Sequence, residues 1–497
     1  MEYRIINDKP LNISLCSDKL TLHRYKLVTT FFFFLVWINL GVTNCVISST
    51  LPDFRHRLGI KNEEFGRLML VVVVVATTLS ISGGILADRF RSHVILILAV
   101  VQLVSAFGHG LIPWSVSVYM AGAMFVVRNS AHQACNALGS AYIVAMWDKD
   151  ASFYIHFLHM GYPVGCILGP IIAGPYLSQS RVNHTDDTNT TTPIPESSNS
   201  ALETSTAAVD GFSLEEQTGN SSIEIPYAIG SICLCFTSFL FCLLYFDVIK
   251  RPKNFSLQSK DKKSIRDVCD PRSCAGGRAG FGVTMIAMFF LYYALLVACE
   301  GVILNTFLFT YAVEGPFKFS NQQANRLDIA FKASQLVGRL LILPLASRVK
   351  VQILLFVEVT GSFIASIGLA TLGTQEPMYL WIFACLYNAF IGPSWPGGYA
   401  WFDRYVILYT IIISLSDVFK QLSAGVPSWL VGYILDSNHP NNIWKLLLLL
   451  TGALLALLPI GQVTAYRHGE RFALRHRTRK DSSCKDDENC SMTEQKL

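Results

Sequence analysis

Twelve apolar runs of about twenty residues follow one another along this chain. Such a run, wound as a helix rising 1.5 Å per residue, covers the ~30 Å hydrocarbon layer of a bilayer. The runs fall near 27–50, 65–87, 94–113, 117–145, 153–177, 226–247, 281–313, 324–347, 351–373, 377–401, 406–434 and 443–466, numbered spans 1 to 12 below. Composition points the same way, with 52% hydrophobic residues and only 15% charged, where soluble chains run nearer a quarter charged. The expected fold class is therefore an all-α polytopic membrane protein of twelve transmembrane helices.

Six spans precede and six follow a polar stretch from Ile249 to Ala279, which carries Lys250, Arg251, Lys253, Lys260, Lys262, Lys263, Arg266, Arg272 and Arg278. A run this basic beside apolar spans marks a cytoplasmic face. If the N-terminus lies on the same side, the loops alternate. The outer loops and helix ends then hold few of the cations: Arg55, Arg57, Lys61, Arg67, Arg181, Lys318, Arg326 and Lys445. The expected order is a cytoplasmic tail (1–26), a six-helix bundle (27–247), a basic cytoplasmic linker (248–280), a second six-helix bundle (281–466) and a cytoplasmic tail (467–497). The chain opens polar, with His23, Arg24 and Lys26 before span 1, so no cleavable leader is expected.

The loop from Ser178 to Ile225 is rich in Ser, Thr and Asp and carries glycosylation sequons at Asn183, Asn189 and Asn220. It reads as a disordered, glycosylated outer segment, which implies the secretory route and the plasma membrane as its commonest end. The 13 cysteines lie mostly within apolar segments, and Cys269 and Cys274 lack the spacing of a zinc site, so free thiols are expected. No nucleotide-binding loop, metal-ligand cluster or nucleophile elbow argues for an enzyme. No stripe of basic and aromatic residues argues for nucleic acid; the partners expected are a small solute and the bilayer.

Spans 3, 6 and 12 are almost free of charge, as lipid-facing helices should be. Glu358 of span 9 sits near its inner end, where snorkelling to the interface is expected. Spans 1, 4, 7, 8, 10 and 11 carry Asn39, Asn44, Arg128, Asn129, His132, Gln133, Asn136, Glu300, Asn305, Lys332, Gln335, Asn388, Asp417, Lys420 and Gln421. Polar groups concentrated in particular helices imply a water-lined path between two bundles. Gly161, Gly165 and Gly169 recur every four residues on span 5 and allow close helix approach.

Between spans 2 and 3, GILADRFRSH (Gly84 to His93) resembles the loop signature of the major facilitator superfamily through Gly84, Leu86, Ala87, Asp88 and Arg89, with Arg91, Ser92 and His93 in place of its Gly-Arg-Lys. Asp88 can cap the positive end of a neighbouring helix while Arg89 and Arg91 stay in the cytosol, an inter-helix latch. GRLLILPLASRVK (Gly338 to Lys350) is its weaker counterpart in the second half. The Trp147 turn followed by Phe157-Leu158-His159, the Glu300 segment ending Thr310-Tyr311-Ala312, and the span 10–11 segments NAFIGPSWPGGYAWFDRY and SWLVGYILD look like the sodium-dependent glucose transporter branch, distantly similar to bacterial fucose permeases. The resemblance covers nearly all twelve spans. It implies two six-helix bundles, alternating access and sugar uptake, coupled in some members to Na+ or H+, with no other cofactor and a monomeric state. Asn136 stands where the family carries an acid in span 4, and Ser140 where it carries Asn.

On that reading Glu300, at Cys299-Glu300-Gly301 where an over-long apolar stretch is expected to break, accepts hydrogen bonds from sugar hydroxyls or carries a proton; the alternative is an ion pair with Lys332 or Lys420. Asp417, Lys420 and Gln421 share one helix face, as a self-neutralising pair or as solute contacts. Trp395, between Pro393 and Pro396, offers a flat face for a pyranose ring, Trp37 with Asn39 and Asn44 a matching one, and Trp401 an interface anchor. The expected solute site comprises Glu300, Asn305, Asn136, Gln133, Asn39, Asn388, Trp395 and Gln421. Coupling or gating falls to Glu300, Lys332, Asp417, Lys420, Arg128, His159, Asp88 and Arg89, His159 reading also as a packing residue. The chain is thus expected to carry a hexose or similar polar solute. Two alternatives are an organic-anion carrier lined by Arg128, His132, Lys332 and Lys420, and a solute sensor that no longer transports.

Overall fold

A computed structural model describes residues 13–89, 93–147, 151–178, 221–246, 248, 271–346, 348–408 and 410–469; within the helices, 13–20, 80–89, 141, 144–145, 151–153, 155–156, 271, 343, 346, 410–411, 413–414 and 417 are placed as backbone alone. The twelve expected spans are all present. Spans 1 to 6 are the helices Ile13–Leu58, Asn62–Arg89, Val94–Leu111, Val118–Trp147, Ala151–Ala173 and Glu224–Tyr245. Span 7 runs from Ala279–Leu296 through a wide segment, Val297–Leu304, to Leu308–Glu314. Spans 8 and 9 are Asn321–Ala346 and Val351–Thr371. Span 10 is divided into Pro377–Ile391 and Ser394–Asp403, and spans 11 and 12 are Thr410–Leu435 and Asn442–Tyr466. Among the described residues, spans 1, 3, 5, 6, 7, 9 and 12 are long and apolar enough to cross a membrane on composition alone; the others carry the polar residues that need protein neighbours.

Spans 3, 6, 9 and 12 turn bare apolar faces outward, with Phe107 62%, Ile232 67%, Ile364 58% and Leu449 70% exposed. In water such faces would associate; against lipid they are at rest. Within the first six spans, 1 packs on 5, 3 on 6 and 2 on 4; within the last six, 9 packs on 10 and 12 and 8 on 10. The two sets meet where span 2 lies along span 11 and span 5 along span 8.

Two glycine contacts set the closest approaches. A Cβ on Gly165 would collide with the carbonyl oxygen of Ile38, and one on Gly41 with that of Tyr162, so spans 1 and 5 touch backbone to backbone. Between the two sets, a Cβ on Gly432 would strike the carbonyl of Asn62 and one on Gly66 that of Ser428.

That seam is tied by polar groups at the end the charge pattern assigns to the outside. Arg55 of span 1 pairs with Glu314 of span 7. Asn62 Nδ2 donates to Glu314 Oε2 at 2.9 Å and to Asp436 Oδ1 at 2.8 Å. The backbone N–H of Glu63 donates to Asp436 Oδ2 at 2.6 Å, and Asn321 Nδ2 donates to the Ser178 carbonyl at 2.5 Å. Each bond joins the first half to the second.

Two expectations are corrected. Glu358 does not snorkel: it is 3% exposed and accepts a hydrogen bond from Ser394 Oγ at 3.0 Å. Trp401 is no interface anchor: it is 2% exposed, and its Nε1 donates to Gln462 Oε1 at 3.0 Å. Both follow from the division of span 10 at Gly392 and Pro393, where proline cannot continue the hydrogen-bond ladder. The segment after it lies across span 9 and against span 12, covering side chains that a straight helix would leave at the rim.

The span 1–5 contact makes a stability prediction. Gly165→Val should lower the thermal midpoint of the detergent-purified chain, since overpacking costs about 1–3 kcal/mol. Gly301→Ala, whose Cβ would find its nearest neighbour 3.7 Å away at Val297, should leave that midpoint within error. A thermal melt followed by size exclusion decides the comparison.

Candidate functional site

The site begins with the winding of span 7. Over Val297–Leu304 its backbone opens into i→i+5 turns, the Asn305 N–H donating to the Glu300 carbonyl at 2.8 Å, and the Thr306 side-chain hydroxyl donates to the Gly301 carbonyl at 3.0 Å. The expected break at Cys299-Glu300-Gly301 is thus a widening, the kind of local irregularity that recurs at functional positions. It places Glu300, 2% exposed, among three spans.

Both carboxylate oxygens of Glu300 are engaged by N–H donors. Trp395 Nε1 of span 10 donates to Oε2, and Gln335 Nε2 of span 8 donates to Oε1. Asn305 Nδ2, on the same span, donates to Oε1 at 3.2 Å. The contacts continue: Lys332 Nζ donates to Asn305 Oδ1 and lies 3.6 Å from Asp328 Oδ1. Ser49 Oγ of span 1 donates to Asp328 Oδ2 at 3.2 Å. One connected polar chain therefore runs from span 10 to span 1, from the second half to the first.

Among the described residues, the alternative reading of Glu300, an ion pair with Lys332 or Lys420, is not made. Lys332 turns to Asp328 four residues earlier, with both side chains at most 1% exposed. Lys420 Nζ donates to Tyr399 OH at 2.8 Å and stands over the rings of Tyr293 (5.0 Å), Tyr399 (5.5 Å) and Trp395 (5.8 Å). Asp328 is the residue that reading the sequence missed. An acid one turn before a lysine within an apolar span was its available signal.

Trp395 is half-buried. Its N–H is spent on Glu300, and its carbonyl accepts from Tyr293 OH at 2.6 Å, which fixes the indole. Trp37, 1% exposed, is packed beneath Gly139 and donates Nε1 to His159 Nδ1 at 3.3 Å, so it offers no open face. Asn39 faces span 6, donating to the Cys233 carbonyl at 2.9 Å. Asn388 is fully buried in the second half and donates to the Phe331 carbonyl at 2.7 Å. Gln133, Asn136 and Gln421 are half-buried. Arg339 of span 8 bridges the halves, reaching the Gly392 carbonyl at 3.1 Å and the His159 carbonyl at 3.3 Å. In the first half Arg128 bonds to Asn129, Thr43 and Asn44, and Asn44 in turn to Tyr162 OH at 2.8 Å. The side chains of Asp88, Arg89 and Asp417 and the sequons at Asn183, Asn189 and Asn220 lie outside what is described.

The Asp328–Lys332 pair yields a prediction. Removing one partner of a buried pair leaves a bare charge and costs about 3–5 kcal/mol, so Asp328→Asn should sharply reduce the yield of monodisperse protein. The double change Asp328→Asn with Lys332→Gln should recover most of it. Equal yields for the single and double variants would contradict the pairing.

No protein-family model matches the chain. Among named relatives, the sodium-dependent glucose transporter 1 of Xenopus laevis is 25% identical over 362 residues, covering 73% of this chain and 66% of that protein. The major facilitator superfamily domain-containing protein 4A of Danio rerio is 24% identical over 326 residues, covering 60% of this chain and 62% of that protein. The chain thus spans somewhat under two-thirds of the length of these two relatives. Among solved structures, the xylose transporter XylE of E. coli in a partially occluded, inward-open conformation superposes with a TM-score of 0.62 at 13% identity, over 90% of this chain and 99% of that one. The twelve helices therefore have the major facilitator fold, and the resemblance carried by the sequence motifs holds. These neighbours are transporters, not enzymes.

Proposed function

We propose that this multi-pass membrane chain carries a hexose or a similarly hydroxyl-rich solute by alternating access, as a facilitative or secondary-active carrier. The observation that supports it most is Glu300: a buried acid on a widened helix turn, ringed by Trp395, Gln335 and Asn305, in a polar chain that crosses between the halves. Hydroxyl groups both donate and accept, so a sugar can compete for this carboxylate and these amides, and the half-buried indole offers a surface for a ring. Relatives and a structural neighbour named for glucose and xylose favour the same solute class.

A coupling ion would act at Glu300 or Asp328. The N–H groups and the lysine around these acids favour a proton, because a sodium ion as a hard cation is best held by a shell of oxygen ligands. The plasma membrane, cytoplasmic termini, a glycosylated outer loop and a monomeric state complete the proposal; they rest on the sequons and the distribution of Lys and Arg.

Uptake into proteoliposomes tests this. Labelled glucose and xylose should accumulate or equilibrate faster than in empty vesicles, with a proton gradient accelerating uptake more than a sodium gradient. Glu300→Gln should lower uptake by about tenfold or more, the cost of losing hydrogen bonds to a charged group, at unchanged surface expression. Sugar binding without flux would make the chain a sensor instead.

A further inference from the structure

From Leu27 to Phe246, aspartate and glutamate occur only at helix ends and in loops; the interiors of spans 1 to 6 contain none. Arg128 lies within that acid-free bundle and is 4% exposed. Its bonds all go to neutral oxygens: Asn129 Oδ1 at 2.7 Å, Asn44 Oδ1 at 3.0 Å and Thr43 Oγ1 at 3.3 Å. Its Nε has no partner, and neither has the buried Nδ1 of His132, one turn further along span 4. Behind them His109 of span 3, fully buried, stacks on Tyr227 at 4.8 Å with both ring nitrogens unbonded.

A guanidinium keeps its proton under all ordinary conditions, and burying it without a counter-charge is costly. The second half meets this requirement internally, as Lys332 does with Asp328. Among the described residues, the first half's one buried acid, Asp53, stands nine residues beyond Asn44 near the end of span 1 and is held by Ser178. Three of the five guanidinium N–H bonds are used; the Nε–H and one on Nη1 remain, pointing apart, each able to donate singly to an anionic oxygen. The Tyr162 hydroxyl, held by Asn44 at 2.8 Å, adds a polar neighbour. Asn44 is five residues from Ser49, about 7.5 Å along the helix axis, and Ser49 touches Asp328 at the start of the Glu300 chain.

We propose that Arg128, with Asn44, Tyr162 and His132, binds the carboxylate of the carried solute, so that the preferred cargo is a sugar acid and not a neutral hexose. This rests on the carrier reading above and narrows its substrate class. The hydroxyl-bearing body of such a molecule would face Glu300 and Trp395, while its acid group supplies the charge that the first half lacks.

The test uses the full chain in proteoliposomes, with labelled glucuronate and glucose compared under one gradient. Thermal stabilisation of the purified protein by glucuronate, glucose or sodium chloride is measured at matched ionic strength. Glucuronate uptake should exceed glucose uptake by about tenfold, the factor expected for a charge-assisted hydrogen bond. Arg128→Gln should lower glucuronate uptake by about ten- to a hundredfold and glucose uptake by less than about threefold, with Arg128→Lys between wild type and Gln. Glucose moving faster than glucuronate, or both falling equally in Arg128→Gln, overturns the acid subsite and leaves the carrier reading standing. If neither solute moves but glucuronate stabilises the protein in an Arg128-dependent way, the subsite stands and transport falls. Stabilisation by chloride to the same degree as glucuronate assigns the charge to an inorganic ion and overturns the sugar-acid cargo.

Discussion

A charged or polar group that enters hydrocarbon must find its partners inside the protein, since lipid supplies none. The arrangement of this molecule follows from that requirement. Spans 3, 6, 9 and 12 are apolar enough to stand on the outside. Spans 1, 7, 8 and 10 carry groups that only each other can satisfy, and they meet around Glu300, Lys332 and Asp328. The widening of span 7 serves the same end, since it turns an acid toward donors on two neighbouring helices.

The two halves meet the requirement differently. In the second half Lys332 has Asp328 as counter-charge, while Glu358 has a hydroxyl donor in Ser394 and Glu300 neutral N–H donors. Arg339 lies across the boundary on two carbonyl oxygens. In the first half Arg55 pairs with Glu314 of the second, while Arg128 is met by amides and a hydroxyl alone. Such unevenness is hard to explain by stability, because a neutral residue at 128 would remove the cost outright. It is intelligible where the missing charge arrives with what is carried.

Much of this was legible in the amino-acid order. Run length gave the number of helices, the Lys and Arg distribution separated two sets of six, and intramembrane acids pointed to Glu300. Glycine spacing on span 5 announced a close helix contact, and packing assigns it to span 1. What stayed hidden depended on rotation about helix axes. The division at Gly392 and Pro393 turns the second part of span 10, which buries Trp401 and Glu358 against expectation. Asn39 and Trp37 looked available because their helix carries other polar residues, yet one faces span 6 and the other lies beneath Gly139. Asp328 escaped notice beside the more conspicuous lysine. Sequence gives which residues must be partnered; only packing gives which partner each one finds.

The contact between spans 2 and 11 deserves a mechanical reading. Where Gly66 and Gly432 bring two main chains together, small residues face backbone, and the side chains that meet beside them include Leu70 over Gly425 and Trp429 on Glu63. Separating interdigitated helices means withdrawing each knob from its hole, with a loss of dispersion energy at every step. A smooth bearing surface has little of that to undo, and water can replace its few terminal hydrogen bonds nearly one for one. On the alternating-access reading proposed above, this is the join at which the halves would part, with the Arg339–His159 and Ser49–Asp328 bonds to be undone as well.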